Sequence, residues 1–138
     1  MHAMVMLADG AHAVNGRLYI LGGGLRSVAA GMPYTVVAKV EVDYLEATAS
    51  HTYVLALLDD DGLAVSVDEN PVSVSFSGGT GIPGGHPVGM PIDVMLAFTA
   101  PHLPLEPGVY EWRLSLDAAD VAGGSVRFSV VPPPATTA

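Results

Sequence analysis

The sequence predicts an all-β protein, an antiparallel β-sandwich of about eight strands with no substantial helix. Three observations carry this prediction. Apolar residues alternate with period two along most of the chain, short turn signals separate the alternating runs, and no segment keeps helical spacing beyond one turn.

The elements follow in chain order. The apolar run from Ala3 to Ala8 is a first strand, ended by Asp9. Asn15-Gly16 then precedes "RLYIL", a hairpin signal because both residues tolerate positive φ. The glycines of "GGGLRS" (22–27) read as a turn or bulge after that strand. In "PYTVVAKVEVDY", Tyr34, Val36, Ala38, Val40, Val42 and Tyr44 share one face, and Thr35, Val37, Lys39, Glu41 and Asp43 share the other. "TYVLALL" (52–58) is apolar on both faces, as a central, well-covered strand would be. Asp61-Gly62 marks the next turn, and "PVSVSF" points Val72, Val74 and Phe76 inward. "PIDVMLAF" does the same with Ile92, Val94, Leu96 and Phe98. Pro107-Gly108 introduces a strand with Tyr110, Trp112, Leu114 and Leu116 inward, and Gly123-Gly124 is expected to introduce the last, with Val126, Phe128 and Val130 inward. "YLEATAS" and "LDAADVA" have room for one helical turn each. Residues 1–131 form one expected domain, and the Pro-rich 132–138 a flexible tail.

Composition narrows the function classes. Only 14% of residues are charged and half are hydrophobic, which excludes intrinsic disorder and favours self-association. Fourteen acidic residues stand against five basic ones, a net charge of −9. Such a chain has no basic stripe for nucleic acid or anionic membrane. It has no cysteine, so thiolate and disulfide chemistry are absent and a reducing compartment fits. "AHA" at 11–13 imitates a signal-peptide cleavage site, but no positive region precedes it and the apolar run is too short. No run is long enough for a membrane span, so a cytoplasmic protein is expected.

"LEPGVYEWRLSL" (105–116) has the Pro-Gly turn, aromatic and alternating strand common in immunoglobulin-like and C2-like sandwiches. There Tyr110 is placed to cover a corner and bond its hydroxyl to backbone. Together with the strand ending at Asp9, "NGRLYILGG" (15–23), the long strand from Pro33, and "LLDDDG" (57–62), it resembles a family of short, stand-alone bacterial all-β proteins, a domain of unknown function. The resemblance implies a sandwich and supplies no activity, ligand or catalytic residue. The stretch "SGGTGIPGGHPVGMP" (77–91) lies outside it.

That stretch is the first candidate for chemistry. Gly79 to Gly84 has the glycine spacing of a phosphate loop. Gly85 and His86 stand where lysine and Ser or Thr are required, and Pro87, Gly89 and Pro91 forbid the following helix. It is therefore a long connection, and Gly79, Ile82, Pro83 and His86 are assigned to an interaction loop. Asp59, Asp60 and Asp61 raise calcium, which end loops of C2-like sandwiches bind through several oxygens. The competing reading is a hairpin turn, where Asp and Gly are both favoured. His2, Met4 and Met6 offer soft ligands for copper but equally suit a packed first strand. No Gly-x-Ser-x-Gly elbow is present.

The sequence thus points to a non-enzymatic interaction or structural module, cofactor-free, with a protein partner or a second copy as its ligand. Two alternatives stand beside it: a C2-like domain taking calcium or a small ligand at its end loops, and a hydrolase of unassigned type.

Overall fold

The computed structural model describes residues 1–100 and 102–133. Its strands are β1 (His2–Ala8), β2 (Gly10–Val14), β3 (Arg17–Leu21), β4 (Ser27–Ala29), β5 (Tyr34–Val42), β6 (His51–Asp59), β7 (Ser66–Val67), β8 (Asn70–Pro71), β9 (Ser73–Gly78), β10 (Ile92–Ala100), β11 (Gly108–Leu116) and β12 (Ala119–Val131). Among the described residues the helical content is one 3-10 turn, η1, at Tyr44–Glu46. The all-β expectation therefore holds. The tail expected at 132–138 lies outside the described residues from position 134 onward.

The expected two-layer sandwich takes a different form. Eight strands make one hydrogen-bonded sheet in the order β10-β5-β1-β12-β11-β6-β9, with β4 also on β12, and this sheet curls into a half-barrel. The reason lies at β12, which forks. Its start meets β1 in a single parallel pairing, His2 with Ala122, and its end pairs in parallel with β4, Ser129 to Val131 against Ser27 to Ala29. Every other pairing in this sheet is antiparallel. Gly24 and Leu25 donate their amides to Leu7 O (2.8 and 3.0 Å) as the chain crosses from β1 toward β12.

Gly123 makes the fork possible. Its φ is +76°, and a Cβ there would overlap the Ala3 carbonyl and the His2 ring. Gly123-Gly124 lies inside β12 and does not begin it; the two glycines sit where the β11–β12 register slips between Arg113 and Ser115. Such a bulge bends a strand and increases its twist, here swinging β12 onto β1. The β11–β12 hairpin instead turns at Asp117-Ala118, both with positive φ (50° and 68°). Asn15-Gly16 turns the β2–β3 hairpin in the same way, as its sequence predicts (51° and 71°).

The alternation read from the sequence is the core. Val36, Val40, Leu55, Leu57, Trp112 and Leu114 are fully buried within the curl. An aromatic chain crosses it: Phe76 (β9) to Phe98 (β10) at 6.2 Å, and Phe98 edge-on to Trp112 at 5.5 Å. Trp112 Nε1 donates to Tyr34 Oη (3.0 Å), and Tyr34 meets Phe128 at 5.8 Å. Burial pushes the Tyr34 hydroxyl pKa up, so it stays neutral as a partner for the indole. The corner expected at Tyr110 is present: its hydroxyl donates to Glu106 O at 2.7 Å. One face reading needs correction. Thr35 and Val37, assigned outward, are buried, because β2 lies against β5 and β10.

Replacing Gly123 tests the fork. Gly123→Ala should lower unfolding stability by about 2 kcal/mol or more, from positive-φ strain plus the clash with Ala3. Gly84→Ala, which meets open space, should stay within about 0.5 kcal/mol of the parent in urea titration. Equal effects at the two sites would dissociate Gly123 from the closure.

Candidate functional site

The half-barrel has two poles. At one, β5 ends at Val42, β6 begins at His51, β9 ends at Gly78 and β10 begins at Ile92. This loop pole gathers η1, the long connection 79–91 and the Asp117-Ala118 turn.

The chain leaves β5 through Asp43, whose carbonyl accepts the Glu46 amide (2.9 Å) and so winds η1. Ala47 follows, fully buried, and its carbonyl becomes the anchor for the long loop. Thr80 Oγ1 (3.0 Å) and the Gly81 amide (3.2 Å) both donate to it. Gly79 passes so close to Ala49 O that a Cβ would lie 3.1 Å away. Beyond Gly81 the loop folds on itself in two turns, with His86 N donating to Pro83 O (3.1 Å) and Met90 N to Pro87 O (3.3 Å). The His86 ring joins them: its Nε2 bonds Met90 O (2.9 Å), and its face stacks on Tyr44 at 6.3 Å and 11°. The connection expected at 77–91 is thus held in one shape by its own chain, and Gly79 and His86 hold it there.

What this loop displays is apolar. Val88 is 85% exposed, and Met90 and Ile82 are exposed too; Leu45, on the neighbouring η1, is 89% exposed. A groove of about 580 Å³ runs between η1 and the loop, lined by Tyr44, Leu45, Val88 and Pro91, with Asp43 and Glu46 contributing carboxylates.

Under this surface lies a polar pair that sequence reasoning missed. His51 is 5% exposed; its Nδ1 bonds Asp117 Oδ2 at 2.6 Å and its Nε2 bonds Glu46 O at 2.7 Å. Asp117 also accepts the Thr52 amide through Oδ1 (2.9 Å) and returns its own amide to Thr52 O (2.9 Å). Both imidazole nitrogens face acceptors, which suits the imidazolium. The Asp117 hydrogen bond, then the Glu46 carbonyl, raise the His51 pKa against the opposing effect of burial. The His51 bond, then the Thr52 amide, lower that of Asp117. The pair ties β6, η1 and the β11–β12 turn together and leaves no free nitrogen to act as a base. The partners are 66 residues apart, so no local spacing could reveal them. Next to His51, the buried Tyr53 hydroxyl has no hydrogen-bond partner among the described residues.

The remaining sequence candidates lie elsewhere. Asp59, Asp60 and Asp61 are at the opposite pole, in the turn after β6. Asp59 Oδ1 accepts the Asp61 and Leu63 amides (both 2.9 Å), and Asp60 pairs with Arg127. The Asp59 carboxylate thus caps the turn and that of Asp60 reaches across to β12, and among the described residues no three His, Asp or Glu side chains converge on a metal position. His2 Nδ1 bonds Ala122 O (3.0 Å), and His2 and Met4 line a cleft on the outer face of β1. Among the described residues, no helix is long and apolar enough to cross a membrane.

With this geometry in hand, comparison with known protein families gives a match. The profile of a family described as "Family of unknown function (DUF6941)" covers residues 3–130, and the chain belongs to that family. No curated protein matches the chain.

The His51–Asp117 pair sets a pH window. The raised His51 pKa contributes stability that is complete below its ordinary 6.5 and is lost as pH rises through the higher folded value. The lowered Asp117 pKa contributes stability present above its ordinary 3.8 and lost as pH falls through the lower folded value. Wild type should therefore exceed His51→Gln in Tm most clearly between about pH 4 and 6.5, with the gap narrowing toward pH 9. A gap constant across that range in thermal melts would show that the imidazolium form carries none of the stability.

Proposed function

We propose that this member of the family is a non-catalytic protein-interaction module that associates with its own kind through the loop pole. One observation carries the reading: Leu45 on η1 and Val88 on the long loop face solvent along one groove, with Ile82 and Met90 also exposed on that loop, which is held by its own hydrogen bonds. Single exposed apolar residues are ordinary on a protein surface, whereas a cluster on a fixed scaffold is the mark of a contact site. Anchoring at Ala47 and stacking of His86 on Tyr44 order the loop before any partner arrives, which lowers the entropy cost of association. The low charge content of the chain supports the same reading. The one strongly coupled acid–base pair at this pole is saturated by internal bonds, which supports a structural role for His51 and Asp117 over a catalytic one. An acidic, cysteine-free chain suits the reducing cytoplasm.

Sedimentation velocity at tens of micromolar tests this. The wild-type chain should sediment as an assembly, and Leu45→Asp should weaken association by about tenfold or more by placing a charge in the contact. A strictly monomeric wild type, or a Leu45→Asp variant that sediments like it, would overturn the reading.

A further inference from the structure

The loop pole rests on an anchor whose charge depends on pH. His51 is buried at the start of β6, and its ring links η1 to the β11–β12 turn. Nδ1 meets Asp117 Oδ2 at 2.6 Å, and Nε2 meets Glu46 O at 2.7 Å. A ring held between two acceptors needs a proton on each nitrogen. Neutral imidazole has only one, and the Asp117 carboxylate, the stronger acceptor, keeps it on Nδ1. Nε2 then turns a lone pair toward the Glu46 carbonyl, and a bond becomes a repulsion between two acceptors.

The element that feels this change is η1, and η1 carries the loop. It is a single 3-10 turn with no buried residue of its own. Its backbone holds it by the Glu46 amide on Asp43 O and by a long bond from the Ala47 amide to Tyr44 O (3.4 Å). The next carbonyl, that of Ala47, accepts both Thr80 Oγ1 and the Gly81 amide, and the Tyr44 ring carries His86. The long loop is therefore bonded to the residue that follows the one His51 grips.

The groups that face His51 govern its proton. The turn supplies the Asp117 carboxylate, η1 supplies the Glu46 carbonyl and carboxylate, and β6 supplies the Tyr53 hydroxyl, which burial keeps neutral. β9 places Gly78 opposite His51 and adds no charge. None of these groups is a cation. Asp117 and then Glu46 hold the imidazolium past its ordinary 6.5, and it is lost as the pH rises further. Resting on the reading of the loop pole as a contact site, we infer that His51 is a pH latch on that site: the imidazolium holds η1, η1 holds the long loop, and deprotonation releases both and weakens the contact. The released loop must be ordered again before it binds, so affinity falls by the fraction of chains that keep the ordered shape.

NMR on the full chain tests the latch without relying on association. The Gly81 amide, which bonds Ala47 O, should shift with pH at the same midpoint as the His51 ring protons. In His51→Gln that titration of Gly81 should vanish. In His86→Gln, which removes the other imidazole of this pole, it should remain. Asp117→Asn keeps the ring and should move both midpoints, ring and Gly81, to lower pH together. Sedimentation velocity then reads the contact: the wild-type Kd should rise by about tenfold between about pH 6 and pH 9, and that of His51→Gln should stay constant. A Gly81 amide that ignores the His51 midpoint, or that stops titrating in His86→Gln, overturns the latch whether or not the chain associates. A coupled Gly81 in an assembly of constant affinity overturns the regulation and leaves the contact site standing. A coupled Gly81 in a chain that is monomeric at every pH overturns the contact site and leaves the hold of His51 on the loop standing.

Discussion

The half-barrel closes on Trp112. A sheet that curls without sealing must bring its two edge strands over a common core, and here β9 and β10 reach that core through Phe76 and Phe98. Trp112 receives Phe98 on one side and gives its indole proton to Tyr34 on the other. A buried indole N–H without an acceptor costs on the order of 1–3 kcal/mol, so the Tyr34 hydroxyl fixes where β5 stands relative to β11. Those strands belong to the two halves that β12 joins at a single residue pair. Since the backbone contributes so little at that joint, side-chain packing around Trp112 determines the curvature. The positions of both poles follow from it.

Much of this architecture was legible along the chain, and the boundary of legibility is physical. Period-two alternation located β5, β9, β10, β11 and β12 because one face of each is buried in a shared core, and a continuous apolar run located β6. Asn15-Gly16 announced its hairpin because both residues accept positive φ. Asp117-Ala118 performs the same turn and was invisible, since alanine at φ +68° contradicts its own preference. Its geometry is imposed from outside, by the bonds Asp117 makes with His51 and Thr52. Gly123-Gly124 misled in the opposite sense. Two glycines read as a turn, yet Gly123 serves a close contact with Ala3, 120 residues earlier in the chain, and Gly124 one with Val121 and Leu114.

The candidate site divides in the same way. The length and composition of 77–91 led to its assignment as an interaction loop, and Gly79 and His86 are points at which the loop meets the rest of its own chain. What the sequence withheld was its anchoring, because Ala47 and Tyr44 have no feature that distinguishes them as partners before the chain folds. The most exposed large apolar side chains, Leu45 and Val88, were not singled out either. In a sequence half of whose residues are hydrophobic, an exposed leucine looks like a buried one. Asp59 and Asp60 show the converse: in a conspicuous acidic run, the Asp59 carboxylate accepts backbone amides and that of Asp60 pairs with Arg127.

The pairing of His2 with Ala122 also has a meaning in time. On the ribosome the first strand emerges long before the last, and its parallel place beside β12 stays vacant until some 120 further residues have been made. Through that interval β1, β5 and β10 can pair with one another, but the edge of β1 that will meet β12 is open and flanked by apolar side chains. Topologies dominated by such distant pairings fold slowly and expose strand edges while they wait. The joint at Gly123 thus makes this a protein whose last strand licenses its first, and a nascent chain stalled before β12 would present an unprotected sheet edge to the chaperones around it.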